Sequence, residues 1–139
     1  MIAQPIPDRT VATIEEFCNW VVRWRIDPRL GRALQTMQAN FPTTLSITSG
    51  HRTDAEQDAL RESGRPTAPN NLSTHLDCPW ATGADLSAGV AADPAVKIAL
   101  GLAASLAGLR WGGGSPVDPE TGIPSDWNHV DMGPRKLSA

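Results

Sequence analysis

Backbone breakers constrain this chain more than any other feature. Twelve prolines and twelve glycines punctuate 139 residues, and most fall between the stretches of regular hydrophobic spacing. Every regular element must therefore be short, with turns at defined places. Pro5, Pro7 and the turn signal at Asp8 predict an irregular arm over residues 1–12. Thr13 then offers a helix N-cap with Glu16 three residues on, a capping box. Phe17, Trp20, Val21 and Trp24 follow at helical spacing and predict a buried stripe, with Cys18 on the same helix as a small hydrophobe. Asp27-Pro28 restarts a helix, because the fixed φ of proline suits the first helical position. Leu30, Leu34, Met37 and Gln38 line its inner face, and it ends near Asn40-Phe41-Pro42.

Beyond Pro42 the period changes. Residues 44–48 alternate with period two and are rich in β-branched side chains, which predicts a strand. A third helix is expected from Thr53 or Asp54 to Ser63, stopped by Gly64. Residues 64–74 read as loop, and residues 83–87 as a short strand. Asp93-Pro94 opens a long apolar helix to about Ala107, ended by Gly108. Residues 109–111 form a short strand before a loop with Pro116, Pro119 and Pro124. Residues 126–132 read as a last strand, broken by Gly133-Pro134. Helices early and strands late predict an α+β fold, a small antiparallel sheet flanked by helices, and the length predicts a single domain over residues 1–139.

Charge and composition exclude some functions. Net charge is -3, which removes the electrostatic case for nucleic acid. The longest mostly apolar run, residues 96–109, is too short to span a bilayer, so no stable membrane association is expected. Residues 1–9 lack a basic stretch followed by an apolar run, so no secretory signal is expected and synthesis is placed in the cytoplasm. Nothing in the pattern calls for oligomerisation, and a monomer is expected. Cys18 and Cys78 stand sixty residues apart and form no Cys-x-x-Cys pair, so neither a thiolate cage nor a disulfide framework is indicated.

The three histidines are His51, His75 and His129. His75 and His129 lie at loop-to-strand junctions, where a rigid scaffold commonly places reactive groups. A catalytic zinc site takes three protein ligands from His and carboxylate and leaves one position open, a set that His75, Asp85 and His129 can supply. Zinc lowers the pKa of bound water from about 16 to about 7, and a neighbouring carboxylate must still move the proton; Asp126, three residues before His129, is placed for that. Asp131 shares the face of His129 if both lie on one strand, as a supporting partner or a surface residue. A His near an Asp is more often an ordinary hydrogen-bonded pair, so spacing alone leaves both readings open.

Four fragments in order narrow the choice: Ser49-Gly50-His51-Arg52, Ser73-Thr74-His75-Leu76, Gly83-Ala84-Asp85-Leu86 and Asp126-Trp127-Asn128-His129. Together they resemble the zinc D-Ala-D-Ala carboxypeptidases and L-alanyl-D-glutamate endopeptidases that cut peptidoglycan stem peptides and share the hedgehog-type fold. Arg110-Trp111-Gly112-Gly113 resembles a stretch of phage members, and the likeness spans about residues 28–134. The resemblance implies Zn2+ on His75, Asp85 and His129, with Asp126 as general base. It implies that Arg52 binds a substrate carboxylate or the developing oxyanion, a task suited to a planar, permanently charged fork. Ser73, His51 and Trp127 would contact substrate. A phage endolysin, made in the cytoplasm and acting on bacterial peptidoglycan after release, is the implied setting.

Two departures stand out. The family usually sets the Asp closer to the His than the ten residues from His75 to Asp85. Residues 76–82 must therefore bulge outward, carrying Cys78 and with Trp80 as an apolar wall; otherwise Asp77 becomes the rival ligand. His51 stands where the family usually has an aromatic. The alternative from another class is a non-catalytic zinc-containing module that binds cell wall or belongs to a virion; a carboxylate at Asp126 argues against it.

Overall fold

The computed structural model describes residues 14–134 except Pro66, Asn71 and Cys78, with side chains from Asn19 onward. Helix α1 (Ile14–Trp24) leads into α2 (Pro28–Ala39). Asp27 caps α2, accepting a hydrogen bond from the Arg29 backbone N–H at 2.8 Å, with Pro28 at the first helical position. Leu30, Leu34, Met37 and Gln38 are all buried, as the spacing predicts. Trp20 joins this core and Trp24 packs partly against it. Thr13 and the side chains of Phe17 and Cys18 lie outside the described residues. Arg25, between the helices, has a φ of 50°. That left-handed turn costs an L-residue roughly 1 kcal/mol or more. Backbone bonds between Asp27 and Ala81 and between Ala81 and Arg25, both 2.8 Å, hold it in place.

Strands β1 (Ser46–Ser49), β2 (Gly83–Ser87), β3 (Arg110–Trp111) and β4 (His129–Asp131) form an antiparallel sheet in the order β1-β2-β4-β3. Alternation along the strands separates two faces. Ile47, Ala84, Leu86 and Val130 point into the helical layer and are buried. Gly83, Asp85, His129 and Asp131 hold the alternate positions. Val130 is 0% exposed, and full burial of such a side chain is worth about 1.5–3 kcal/mol. This face fixes the register, and a slip of one residue would turn the polar set into the helical layer instead.

Helix α3 (Asp54–Glu62) follows β1 and starts with a complete capping box between Thr53 and Glu56. Helix α4 (Pro94–Leu106) is capped by Asp93, which accepts from the Val96 N–H at 2.9 Å. Leu100, Ala103 and Ala104 of α4 enter the core. The buried apolar side chains form one contiguous cluster among the described residues. No helix among the described residues is long and apolar enough to cross a membrane.

Two strands start more than one residue later than expected. β1 begins at Ser46 rather than residue 44. The last strand is only His129–Asp131, because residues 125–128 form a turn. That turn closes through local bonds, from the Asp126 N–H to Ser115 Oγ and from the His129 N–H to the Asp126 carbonyl, each 3.0 Å.

Candidate metal and active site

Sheet register assembles the site. Asp85 lies directly opposite His129 across β2 and β4, and opposite Ser49 across β1 and β2 at a bulge. Residues paired this way present side chains on one face about 4.5–5.5 Å apart. His75 arrives from a short helical turn, Thr74–Leu76, tied to the sheet side by an Arg52 N–H to His75 carbonyl bond of 2.8 Å. One donor atom from each of His75, Asp85 and His129 lies within 4.8 Å of the others. Asp85 Oδ1 is 3.3 Å from His75 Nε2 and 3.1 Å from His129 Nδ1, and the ring centroids are 5.0 Å apart.

The ten-residue separation of His75 and Asp85 is accommodated by a closed loop. The Thr82 N–H donates to the Thr74 carbonyl at 3.1 Å, returning the chain to its origin. Asp77 turns instead toward the Thr82 hydroxyl, which it accepts, and takes no place in the donor group. Trp80 lines a separate cavity with Asp27, Pro79 and Met132. Cys78 lies outside the described residues.

Each donor has a partner behind it. His75 Nδ1–H donates to the Gly50 carbonyl at 2.7 Å, which turns Nε2 toward Asp85. His129 Nε2–H donates to Asp131 Oδ2 at 2.8 Å, leaving Nδ1 toward Asp85. Asp131 is wholly buried and takes a bidentate pair from Arg110, at 2.9 and 2.8 Å. Asp85 Oδ2 accepts from Arg52 Nη2 at 2.9 Å. Two imidazoles and a carboxylate, each oriented from behind, are the donor chemistry of a divalent-metal site, zinc included. The residues present fit such an ion. Gly83 and Gly113 make room for the His129 ring, since a Cβ at either would lie 2.9 or 2.8 Å from it.

The electrostatics follow from these contacts. Burial would raise the Asp85 carboxyl, but hydrogen bonds from His129 and His75 hold it well below the usual carboxylate range. Burial would lower His129, yet Asp131 and Asp85 outweigh it and push the imidazole up to about 9. Asp131 is held down by His129 and Arg110 against its burial. Asp126 moves the other way: the surrounding cleft and the Asp85 charge raise its carboxyl against the pull of His129.

The donors sit in a cleft of about 220 Å³ that also takes in Arg52, Ser73, Asp126, Arg65 and Asp131. A wider concavity on the other side of Arg52 and Asp85 is lined by His51, Glu56 and Asn128. Ser73 is thus in the cleft and buried, and His51 is half-buried beside it. Trp127 stands elsewhere, with Lys97 over its ring at 5.1 Å, and lines a different cavity with Pro94 and Val117. Arg52 is only 17% exposed and all three of its nitrogens are engaged, by Ser49 Oγ, Gln57 Oε1 and Asp85 Oδ2. Sequence reasoning missed Gln57, Arg65 and the Arg110–Asp131 pair. An Arg110 paired across the β3–β4 register is visible only once the strands are aligned.

No family model matches the chain, and no curated protein matches it in sequence. Among solved structures it is similar to the Serratia marcescens L-Ala D-Glu endopeptidase ChiX. The TM-score is 0.56 at 18% identity over 92% of this chain and 93% of that one. At that identity the likeness is one of fold.

Proposed function

We propose that this chain is a single-domain, zinc-dependent peptidoglycan peptidase of the hedgehog-type fold, hydrolysing a stem-peptide or cross-link amide bond that involves a D-residue. One observation carries the reading: His75, Asp85 and His129 converge on a cleft that also holds a raised carboxylate, Asp126. The likeness of fold to an L-Ala D-Glu endopeptidase makes that bond the first to test. When bound, a zinc ion would supply Lewis-acid polarisation of the scissile carbonyl and acidify water.

The chain's own residues do the rest. Asp126, at the cleft edge and open to solvent on one side, takes the proton of the attacking water and passes it to the leaving amine. Its raised carboxyl suits both directions of that transfer. Asp131 holds the His129 tautomer through Nε2–H, and Arg110 keeps Asp131 ionised. Arg52 fixes the orientation of Asp85, and Ser73 offers a hydroxyl along the cleft wall. A phage endolysin, acting on the wall after release from the cytoplasm, is the setting that the likeness of Arg110-Trp111-Gly112-Gly113 to phage members supports.

The test is mass spectrometry of purified peptidoglycan incubated with the protein, with and without chelator. New fragments that vanish with chelator are expected, and their masses name the bond. Asp126→Asn should retain metal and lose activity by about 10²–10⁴-fold, the usual contribution of a general base. Bound zinc without fragments from any wall chemistry would replace the peptidase with a wall-binding module.

A further inference from the structure

Three guanidinium groups line the cleft, those of Arg52, Arg65 and Arg110. Two are committed to the protein. Arg52 is spread over Ser49, Gln57 and Asp85, and Arg110 is locked in a bidentate pair with Asp131. Among the described residues nothing accepts a hydrogen bond from the Arg65 side chain, which is exposed. Arg65 also lines both concavities flanking Asp85, the narrow cleft and the wider one beside His51.

Its backbone is less free than its side chain. Helix α3 ends at Ser63, and Gly64, at a φ of 85°, turns the chain out of the helix. The Thr67 hydroxyl then donates to the Arg65 carbonyl at 2.9 Å. Buried Gln57 donates to the Ala68 carbonyl at 2.8 Å, while its oxygen accepts from Arg52 Nη1 at 3.1 Å. One amide thus links the loop that carries Arg65 to the arginine that orients Asp85. A positioned loop with an uncommitted planar cation suits bidentate capture of a carboxylate.

We infer that Arg65 reads a carboxylate of the substrate, so that the cleft selects an acidic peptide, while Arg52 acts as a positioning residue for Asp85. The inference rests on the peptidase reading above and names its substrate class. An uncharged peptide would leave Arg65 in water at no cost, and the gain on an acidic one is electrostatic. Discrimination should therefore appear chiefly in KM.

The test uses two L-Ala–D-Glu muropeptides, one with the glutamate carboxylate free and one with it amidated. Each is followed by cleavage with the zinc-loaded wild type and by calorimetric binding to Asp126→Asn. The wild type should prefer the acid by about tenfold or more, as befits a charge-assisted bidentate contact. In Arg65→Ala that preference should collapse to near one, and Arg65→Lys should restore part of it. Equal handling of the two peptides by the wild type, or an undiminished preference in Arg65→Ala, overturns the assignment. Selective binding of the acid that depends on Arg65, with no cleavage here or of purified peptidoglycan, would uphold Arg65 and sink the peptidase. Neither binding nor cleavage would sink the Arg65 assignment, and no fragments from purified peptidoglycan either would sink the peptidase with it.

Discussion

At the scale of single residues, the site is a set of hydrogen-bond donors and acceptors whose directions are decided by the partners behind the candidate metal ligands. Asp131 shows this best. It is not a member of the donor group, yet it accepts from His129 Nε2–H, which turns Nδ1 toward Asp85, and is itself held by Arg110. Partners of this kind typically affect metal affinity by about 10–100-fold. Asp131→Asn should therefore weaken zinc binding by about that factor while the fold persists, measured by competition with a chromophoric chelator; unchanged affinity would remove Asp131 from the site. The sequence announced His75, Asp85 and His129 by residue type and order, and placed Asp131 beside His129 by strand parity. It did not announce Gln57. A glutamine on an amphipathic helix looks like any surface residue until the loop and Arg52 close over it, leaving it 1% exposed.

Among the elements, helices were legible because their signals are local. Asp27-Pro28, Thr53 and Asp93-Pro94 each stand at the start of the helix they predict. Strands were less so, since their ends depend on partners. β4 stops short because residues 125–127 satisfy their backbone groups with Ser115, Pro116, the Trp111 indole and the His129 N–H. Caps also have a measurable pH signature. The Arg29 side chain, and with it the Arg29 N–H, hold the Asp27 carboxyl below its ordinary value against partial burial. A carboxyl depressed in the folded state contributes stability that is complete above its unfolded pKa of about 3.9, and that contribution is lost as pH falls through the folded value. Asp27→Ala should cost about 1 kcal/mol at neutral pH, the usual worth of an N-cap. The deficit should shrink as pH drops well below 3.9. Urea denaturation at neutral and strongly acidic pH reads both, and a deficit independent of pH would show that the carboxylate charge is not what caps α2.

For the whole molecule, the donor group joins parts of the chain that fold far apart in sequence: the 74–76 turn, β2 and β4. An ion held there cross-links the sheet to the turn and must stabilise the folded state by mass action, about 2.7 kcal/mol when zinc stands at 100 times its Kd. For a chain of this size that is a shift of several degrees in midpoint. Folding itself need not wait for the ion. Asp85 is placed between both imidazoles and Arg52, His75 is tied to Gly50, and His129 to Asp131. Among the described residues every buried side-chain nitrogen and oxygen has a hydrogen-bond partner. A core of helices α2 and α4 against the sheet lies on the opposite face and owes nothing to the donors. Chelation should therefore leave the far-ultraviolet circular dichroism unchanged while lowering the thermal midpoint, and zinc should restore it. His129→Ala should abolish the zinc-dependent shift. Collapse of the helical signal on chelation would instead make the ion a condition of folding, and the site a structural one.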